Sequence, residues 1–162
     1  MNAYLEGDLA PSSQDWVRAE VAHYRSTGSG LRGRPVVLLD TRGARTGLVR
    51  TTPLMRVWAR GTYAVVASAG GADAHPAWYR NVVADPHVVL QDGDLRLHLV
   101  ARETHGAERS LWWSRANAVF PSYARYQSAT RRRIPVLMLE PDEGMPQGRP
   151  SGRATAGTGG GR

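Results

Sequence analysis

The sequence predicts an α+β domain in which six short, mainly antiparallel strands form a small split β-barrel with flanking helices. From Pro35 onward, apolar β-type runs alternate with turn residues, which is typical of strands in hairpin order. The connections are too short for the repeated crossovers of a doubly wound parallel sheet. The chain has 162 residues, 41% of them hydrophobic, which suits one compact core.

The first predicted element is a helix over residues 12–27, within an N-terminal helical segment of residues 1–30. Ser12 or Ser13 supplies the N-cap, and Gly28 ends the helix. Its apolar residues are few. Three interpretations of this helix stay open: it packs on the rest of the domain, lies on a membrane surface or borders a site.

The remaining elements follow in chain order, in a predicted split-barrel domain of residues 31–141. Helices are predicted between the third and fourth strands and before the last strand, over residues 76–84, 107–119 and 122–130. Residues 142–162 are rich in Gly, Pro and Arg, so they are predicted to be a disordered tail. The predicted strands are 36–40, 48–58, 62–68, 88–90, 95–102 and 134–140.

The composition excludes several classes of protein. Cysteine is absent, which excludes disulfide frameworks, thiolate nucleophiles and iron–sulfur clusters. The apolar runs are far shorter than the ~20 residues of a membrane span, and the N-terminus does not resemble a secretory signal. The five histidines show no metal-ligand spacing. We therefore expect a cytoplasmic protein with no metal site.

The charge is concentrated on the predicted barrel. All 21 basic residues are arginine, and residues 31–140 carry 16 of them against 8 acidic residues. A concentrated positive field favours a polyanionic partner. Nucleic acid, anionic lipid and a phosphorylated cofactor all satisfy that requirement, and composition alone does not choose among them.

The most informative stretch of the sequence is residues 67–81. A predicted strand ends near Gly70 and Gly71, and Pro76 then starts a short helix. Free N–H groups in such a loop, with the positive end of a helix, favour an anion such as phosphate. The alternative is a turn that needs glycine for a positive φ angle, followed by an ordinary helix N-cap at His75.

A second candidate is the basic turn, residues 42–50. Arg42, Arg45 and Arg50 bracket two glycines, and Thr46 adds a hydroxyl. Arginine binds phosphate or carboxylate through two parallel N–H groups. The turn is either an anion site or a solvated hairpin tip.

Aromatic residues give a third candidate. Tyr123 and Tyr126 are three residues apart, so they share one face of a helical turn. As neutral donors they either polarise a substrate carbonyl or nitro oxygen or merely pack. Trp78 and Tyr79 are expected in the core, and residues 131–133 are expected to be a solvated helix end.

Short motifs spread in order over residues 33–141 carry a resemblance to a known family. Together they resemble the deazaflavin-dependent nitroreductases, actinobacterial split-barrel proteins of FMN-binding-like fold that use the reduced 8-hydroxy-5-deazaflavin coenzyme. The motifs are Gly33-Arg34-Pro35-Val36-Val37-Leu38-Leu39, Thr41-Arg42-Gly43-Ala44-Arg45-Thr46-Gly47, Thr52-Pro53-Leu54-Met55, residues 67–81 with Gly-Gly and His-Pro-x-Trp-Tyr-x-Asn, Ala84-Asp85-Pro86, Tyr123-Ala124-Arg125-Tyr126-Gln127 and Ile134-Pro135-Val136.

The resemblance implies a site for each part of the coenzyme. Its ring lies in the barrel groove, and its phosphate and oligoglutamate tail cross a basic surface. The implied coenzyme-binding residues are Arg42, Arg45, Thr46 and Arg50 at the phosphate; Pro53 and Met55 along the ring; Ala67, Ser68, Ala69, Gly70 and Gly71 in the loop against ring and linker; and Trp78 and Asn81 on the helix that closes the site. The implied catalytic residues are Tyr123, Tyr126 and Ser68.

Two residues depart from the family pattern. Arg45 stands where lysine is usual, which keeps the positive charge. Ala69 stands where lysine or another polar residue is common, so one anion contact is expected to be missing.

The implied reaction is hydride transfer from the reduced deazaflavin coenzyme to a quinone, nitroaromatic or other activated acceptor. A tyrosine hydroxyl or water supplies the proton. The alternatives are a non-catalytic carrier of deazaflavin or FMN and, further from the motifs, a basic nucleic-acid-binding module. We expect a monomer or homodimer with no nucleic-acid partner, and peripheral contact of the N-terminal helix with the inner face of the cell membrane.

Overall fold

The computed structural model describes Leu5 and residues 9–144. In this part of the chain, seven strands form one antiparallel sheet in the order β2-β1-β5-β6-β7-β4-β3. The strands are β1 (Val36–Arg42), β2 (Val49–Met55), β3 (Val57–Ala59), β4 (Thr62–Val66), β5 (His87–Asp92), β6 (Leu95–Glu103) and β7 (Val136–Pro141). The helices are α1 (Asp15–Thr27), α2 (Ala77–Ala84), α3 (Gly106–Val119) and α4 (Ser122–Ser128).

The predicted strand 48–58 is two strands, so the predicted count of six is wrong. β2 pairs with β1, β3 pairs with β4, and only Arg56 separates them along the chain. The Arg56 N–H donates to the Pro35 carbonyl oxygen at 2.7 Å, and its side chain turns to Asp92 at 2.8 Å. Because β2 and β3 lie at opposite ends of the sheet, the sheet curls until its ends meet.

The core fills the inside of this curl. Alternate residues of the strands point inward, as a half-buried sheet requires, and α2 covers one side with Trp78 and Val82. A second cluster lies under α3 and α4 and includes Trp112, Tyr123 and Ile134. The α+β class and the curled antiparallel sheet are therefore confirmed.

Helix α1 ends where the sequence predicts but starts later. The predicted serine N-cap is wrong: Gln14 is the N-cap, and Ser12 Oγ accepts the Gln14 N–H at 3.1 Å. Gly28 has φ of 75°, and its N–H donates to the Tyr24 carbonyl oxygen. The Tyr24 hydroxyl accepts the Gly93 N–H at 2.7 Å, so α1 is docked on the β5–β6 hairpin.

The structure covers only part of the predicted N-terminal helical segment and of the predicted C-terminal tail. Most of the predicted disordered tail, residues 145–162, lies outside the described residues, as do residues 1–4 and 6–8 of the N-terminal segment. None of the described helices is long and apolar enough to span a bilayer.

Candidate active site

β2 and the end of β4 are not paired with each other among the described residues. β4 pairs with β3 only as far as Ala64 and Val57, and its other neighbour is β7. Pro53 and Met55 lie on β2, and Ala67 with the loop after it follows β4. We call the region between these two groups of residues the wedge, and the two groups its walls.

The loop after Ala67 is the glycine loop, residues 68–72. Ser68 is right-handed, with φ of −77° and ψ of −34°, and Ala69 and Gly70 follow with φ of 46° and 63°. Such a sequence of conformations turns successive N–H groups into one anion-binding concavity. Among the described residues, the N–H groups of Ser68, Ala69 and Gly70 have no acceptor. This geometry suits an anion or a ligand oxygen.

Glycine is also required in this loop for packing. Gly71 has φ of 84°, and a Cβ there would lie 2.9 Å from the carbonyl oxygen of Tyr126. The backbone of α4 therefore rests directly on the glycine loop, which brings the predicted tyrosine pair beside it.

The side chain of Arg132 binds backbone carbonyl groups of the glycine loop and its flanks. Its guanidinium donates to the carbonyl oxygens of Ala67 at 3.1 Å, Ser68 at 2.6 Å and Ala72 at 2.7 Å. The expectation of a solvated helix end is therefore wrong for this residue. Nothing in the run of three arginines distinguishes the middle one, because the carbonyls that it binds lie about 60 residues earlier in the chain.

His75 is not the N-cap of α2, which is Pro76. Instead, His75 Nδ1 lies 3.0 Å from a guanidinium nitrogen of Arg132. Because guanidinium only donates, Nδ1 is the acceptor, and the ring proton is on Nε2. Burial, and then the charge of Arg132, lowers the pKa of His75. The imidazole is therefore held neutral beside the loop.

The basic turn is fixed by Asn81 of α2. Asn81 Oδ1 accepts the Ala44 N–H and its Nδ2 donates to Thr41 Oγ1, both at 3.0 Å. Arg42 donates to the Gly47 carbonyl oxygen at 3.1 Å. The resemblance implies that Asn81 is a coenzyme ligand. In the structure, both polar atoms of its amide form hydrogen bonds within the protein, so Asn81 shapes the turn.

The four implied phosphate-binding residues differ in whether their side chains already bind other groups of the protein. Arg45 is exposed, and its side chain has no ion pair or hydrogen bond among the described residues. Thr46 Oγ1 accepts the Leu48 N–H at 3.2 Å. Arg50 donates instead to carbonyl oxygens of residues 10 and 11, the nearer at 3.2 Å. The structure thus turns Arg50 toward the N-terminal segment.

The predicted tyrosine pair lies in an aromatic cluster. The Tyr123 and Tyr126 rings are 6.5 Å apart and nearly perpendicular, and Phe120 contacts both. Met55 packs against the same cluster, which joins the tyrosines to the wedge. Burial, and then the neighbouring Tyr126, raises the pKa of Tyr123 well above its ordinary value, so its hydroxyl stays protonated.

Trp78 lies deeper than the resemblance implies. It is 5% exposed and belongs to the main core cluster, as its expected core role requires. Tyr79 is half-buried, and its hydroxyl donates to the Glu103 carboxylate at 3.2 Å. Pro53 sits on the edge strand β2, where a residue without an N–H is tolerated.

Two cavities lie outside the wedge. A cavity of about 240 Å³ lies between α1, residues 9–12 and Thr51. A more open one of about 560 Å³ is lined by Asp73 and residues 128–132. Neither is lined by the wedge walls. The described residues contain no group of three or more His, Asp or Glu side chains able to hold a metal ion.

Comparison with known proteins gives consistent matches. The family model described as F420H(2)-dependent quinone reductase matches residues 16–141. A Mycobacterium tuberculosis (strain H37Rv) protein named F420H(2)-dependent quinone reductase is 35% identical over 131 residues, covering 76% of this chain and 88% of that protein. The solved F420-H2 dependent reductase FDR-A is 52% identical, with a TM-score of 0.62, covering 66% of this chain and 95% of that chain.

A second solved structure, described as a domain-swapped dimer, is 47% identical, with a TM-score of 0.64. It covers 80% of this chain and 100% of that chain. Coenzyme F420 is the 8-hydroxy-5-deazaflavin coenzyme, so the resemblance carried by the sequence motifs is confirmed. The chain belongs to the F420H(2)-dependent quinone reductase family.

Proposed function

We propose that this chain transfers a hydride from reduced coenzyme F420 to a quinone, with the coenzyme in the wedge. The observation that carries the proposal is that α2 links two features suited to anions. His75, just before α2, contacts Arg132, whose guanidinium binds the glycine loop, and Asn81 on α2 accepts the Ala44 N–H of the basic turn. Two separate sites of this kind suit an elongated coenzyme with a ring at one end and an anionic tail at the other.

The residues fit this coenzyme in charge and shape. The three N–H groups of the glycine loop offer donors to oxygen atoms of the ring or linker. Arg45, which the structure leaves exposed, offers a two-pronged contact to phosphate or carboxylate. Because Ala69 supplies no side-chain donor, Arg45 and Arg42 neutralise most of the negative charge of the coenzyme tail. Arg42 also forms an ion pair with Asp85 at 3.7 Å.

The reduced coenzyme supplies the hydride when bound, and the chain positions the acceptor and the proton. The apolar cluster of Met55, Phe120 and Tyr126 keeps water from the ring end of the wedge. The Tyr123 hydroxyl, protonated because burial raises its pKa, donates to an acceptor oxygen as that oxygen gains negative charge. We assign the hydroxyls of Tyr126 and Ser68 the same donor role.

The acceptor class follows from these donors. A quinone presents carbonyl oxygens and a nitroaromatic presents nitro oxygens, and both gain negative charge on reduction. The family match favours the quinone, and nitroaromatic reduction is proposed as a further activity of the same site.

A paired titration tests the proposal. The purified protein is titrated with oxidised coenzyme F420 and, separately, with FMN, and the reduced coenzyme is then mixed with menadione. We expect saturable binding of F420, weaker binding of FMN and recovery of the ring absorbance on adding menadione. Binding without turnover would indicate a carrier, and a yellow purified protein with tight FMN binding would contradict the choice of coenzyme.

We further propose the FMN-binding-like split barrel as the fold class, supported by the bent strand at Arg56. A homodimer is supported by the 47% identical structure described as a domain-swapped dimer. Light scattering of the full chain across a concentration series tests it: a mass of one chain at every concentration would contradict the dimer.

We also propose a cytoplasmic protein whose N-terminal segment touches the inner face of the cell membrane, with no nucleic-acid partner. Trp16 on α1 is 58% exposed and Leu9 is 59% exposed, and tryptophan favours the membrane interface. Pelleting with anionic liposomes should fall in Trp16→Ser and stay unchanged in Trp58→Ser, which alters an exposed tryptophan on β3. Equal pelleting of both variants counts against the contact.

A further inference from the structure

The glycine loop has few internal hydrogen bonds to hold its shape. Within it, only Gly71 and Ala72 donate backbone hydrogen bonds, to the oxygens of Ser68 and Ala69 at 2.9 and 3.1 Å. Ala69 has φ of 46°, a conformation that a residue with a Cβ disfavours. The carbonyl groups of Ala67, Ser68 and Ala72 point out of the loop on one side, and all three are bound by Arg132.

Binding a carbonyl oxygen fixes the N–H group of the same peptide. In a trans peptide the two groups point in opposite directions. When Arg132 holds the oxygens of Ala67 and Ser68, the N–H groups of Ser68 and Ala69 are turned away from the guanidinium. Ala69 and Gly70 are exposed. A cation on the oxygens also polarises these peptides and strengthens the donors.

We propose that Arg132 is a positioning residue that presents the N–H groups of Ser68 and Ala69 to the bound coenzyme. The proposal rests on the proposed function, because it takes the coenzyme as the ligand of the wedge. Arg132 touches neither coenzyme nor acceptor and acts through three carbonyl groups. Its contact with His75 Nδ1 uses a further N–H and fixes the guanidinium in place.

The neighbouring Arg131 provides a matched control. Arg131 is exposed, and its side chain has no hydrogen bond or ion pair in the described part of the chain. Arg131→Gln therefore removes the same unit of charge from the same surface without releasing the loop. Arg132→Gln removes the charge and the contacts, and Arg132→Lys keeps the charge but replaces the planar fork with a single ammonium.

The experiment compares these variants in two ways. Hydrogen exchange of the amides at residues 68–73 is measured on the free protein. The Kd for oxidised coenzyme F420 is measured by titration, with and without millimolar guanidinium ion. We expect about tenfold faster exchange and about tenfold weaker binding in Arg132→Gln, intermediate values in Arg132→Lys, and partial recovery of the Kd of Arg132→Gln with guanidinium.

The outcomes separate this proposal from the proposed function. Equal exchange and equal Kd in Arg132→Gln and Arg131→Gln would overturn the positioning role. If Arg132→Gln does not fold, Arg132→Lys binding as tightly as the unaltered protein would also overturn it. If the unaltered protein does not bind the coenzyme while loop exchange still rises in Arg132→Gln, the proposed function fails and the support of the loop by Arg132 stands.

Discussion

The buried amide of Asn81 provides the sharpest test of how the site is built. Asn81 is 7% exposed and bridges α2 to the basic turn through Ala44 and Thr41. In Asn81→Ala the Ala44 N–H turns to water, because Ala44 is exposed, at a cost of about 0.5–1.5 kcal/mol. The Thr41 hydroxyl, 0% exposed, is left without its partner at a cost of about 1–3 kcal/mol.

The free energy of unfolding is therefore expected to fall by about 2–4 kcal/mol in Asn81→Ala, measured by equilibrium urea denaturation. Thr41→Val removes the other end of the bond without changing the shape of the side chain. The double variant should lose less than the sum of the two single variants, by about 1 kcal/mol, since neither partner is then left unsatisfied. A loss under about 1 kcal/mol in Asn81→Ala, or strict additivity in the cycle, would refute the bridging role.

Three further predictions concern the wedge. Gly71→Ala should lower the free energy of unfolding by about 2 kcal/mol or more, because its Cβ would lie 2.9 Å from the Tyr126 oxygen. A loss of less than about 0.5 kcal/mol in urea denaturation would contradict this contact. His75→Asn keeps an acceptor for Arg132 but does not titrate. Burial and then Arg132 lower the pKa of His75 from 6.5, so the unfolded chain binds a proton that the folded chain does not, and stability falls as the pH drops below 6.5. Thermal melts should show a smaller fall of the melting temperature with pH in the variant. An unchanged fall would exclude His75 as its source. Tyr123→Phe should leave the melting temperature nearly unchanged but slow quinone reduction at least tenfold in steady-state assays, whereas unchanged kinetics would remove Tyr123 from the donors.

Much of the fold can be predicted from local sequence signals. Gly28 ends α1 because a left-handed residue is needed after the last turn. The Asp92-Gly93 turn sets the β5–β6 hairpin, with φ of 60° at Gly93. The break at Arg56 has no such signal. Residues 48–58 form a continuous β-type pattern, and the side chain at the break binds Asp92, which is 36 residues away.

The site follows the same division. The glycine loop and the basic turn are visible because their residue types have local conformational and chemical preferences. The roles of Arg132 and Asn81 depend on backbone groups that the fold brings to them from 37 to 65 residues away, so sequence alone does not separate Arg132 from Arg131. Arg50 appears equivalent to Arg45 in the sequence, yet a contact with residues 10 and 11 turns it toward the N-terminal segment.

Amide chemical shifts on adding oxidised coenzyme F420 to the isotope-labelled protein test the location of the site most directly. The largest shifts should fall on Ser68, Ala69 and Gly70, with a second group at Arg45 in the basic turn. Shifts confined to the cavity between α1 and β2, with none at the glycine loop, would contradict the placement of the coenzyme in the wedge.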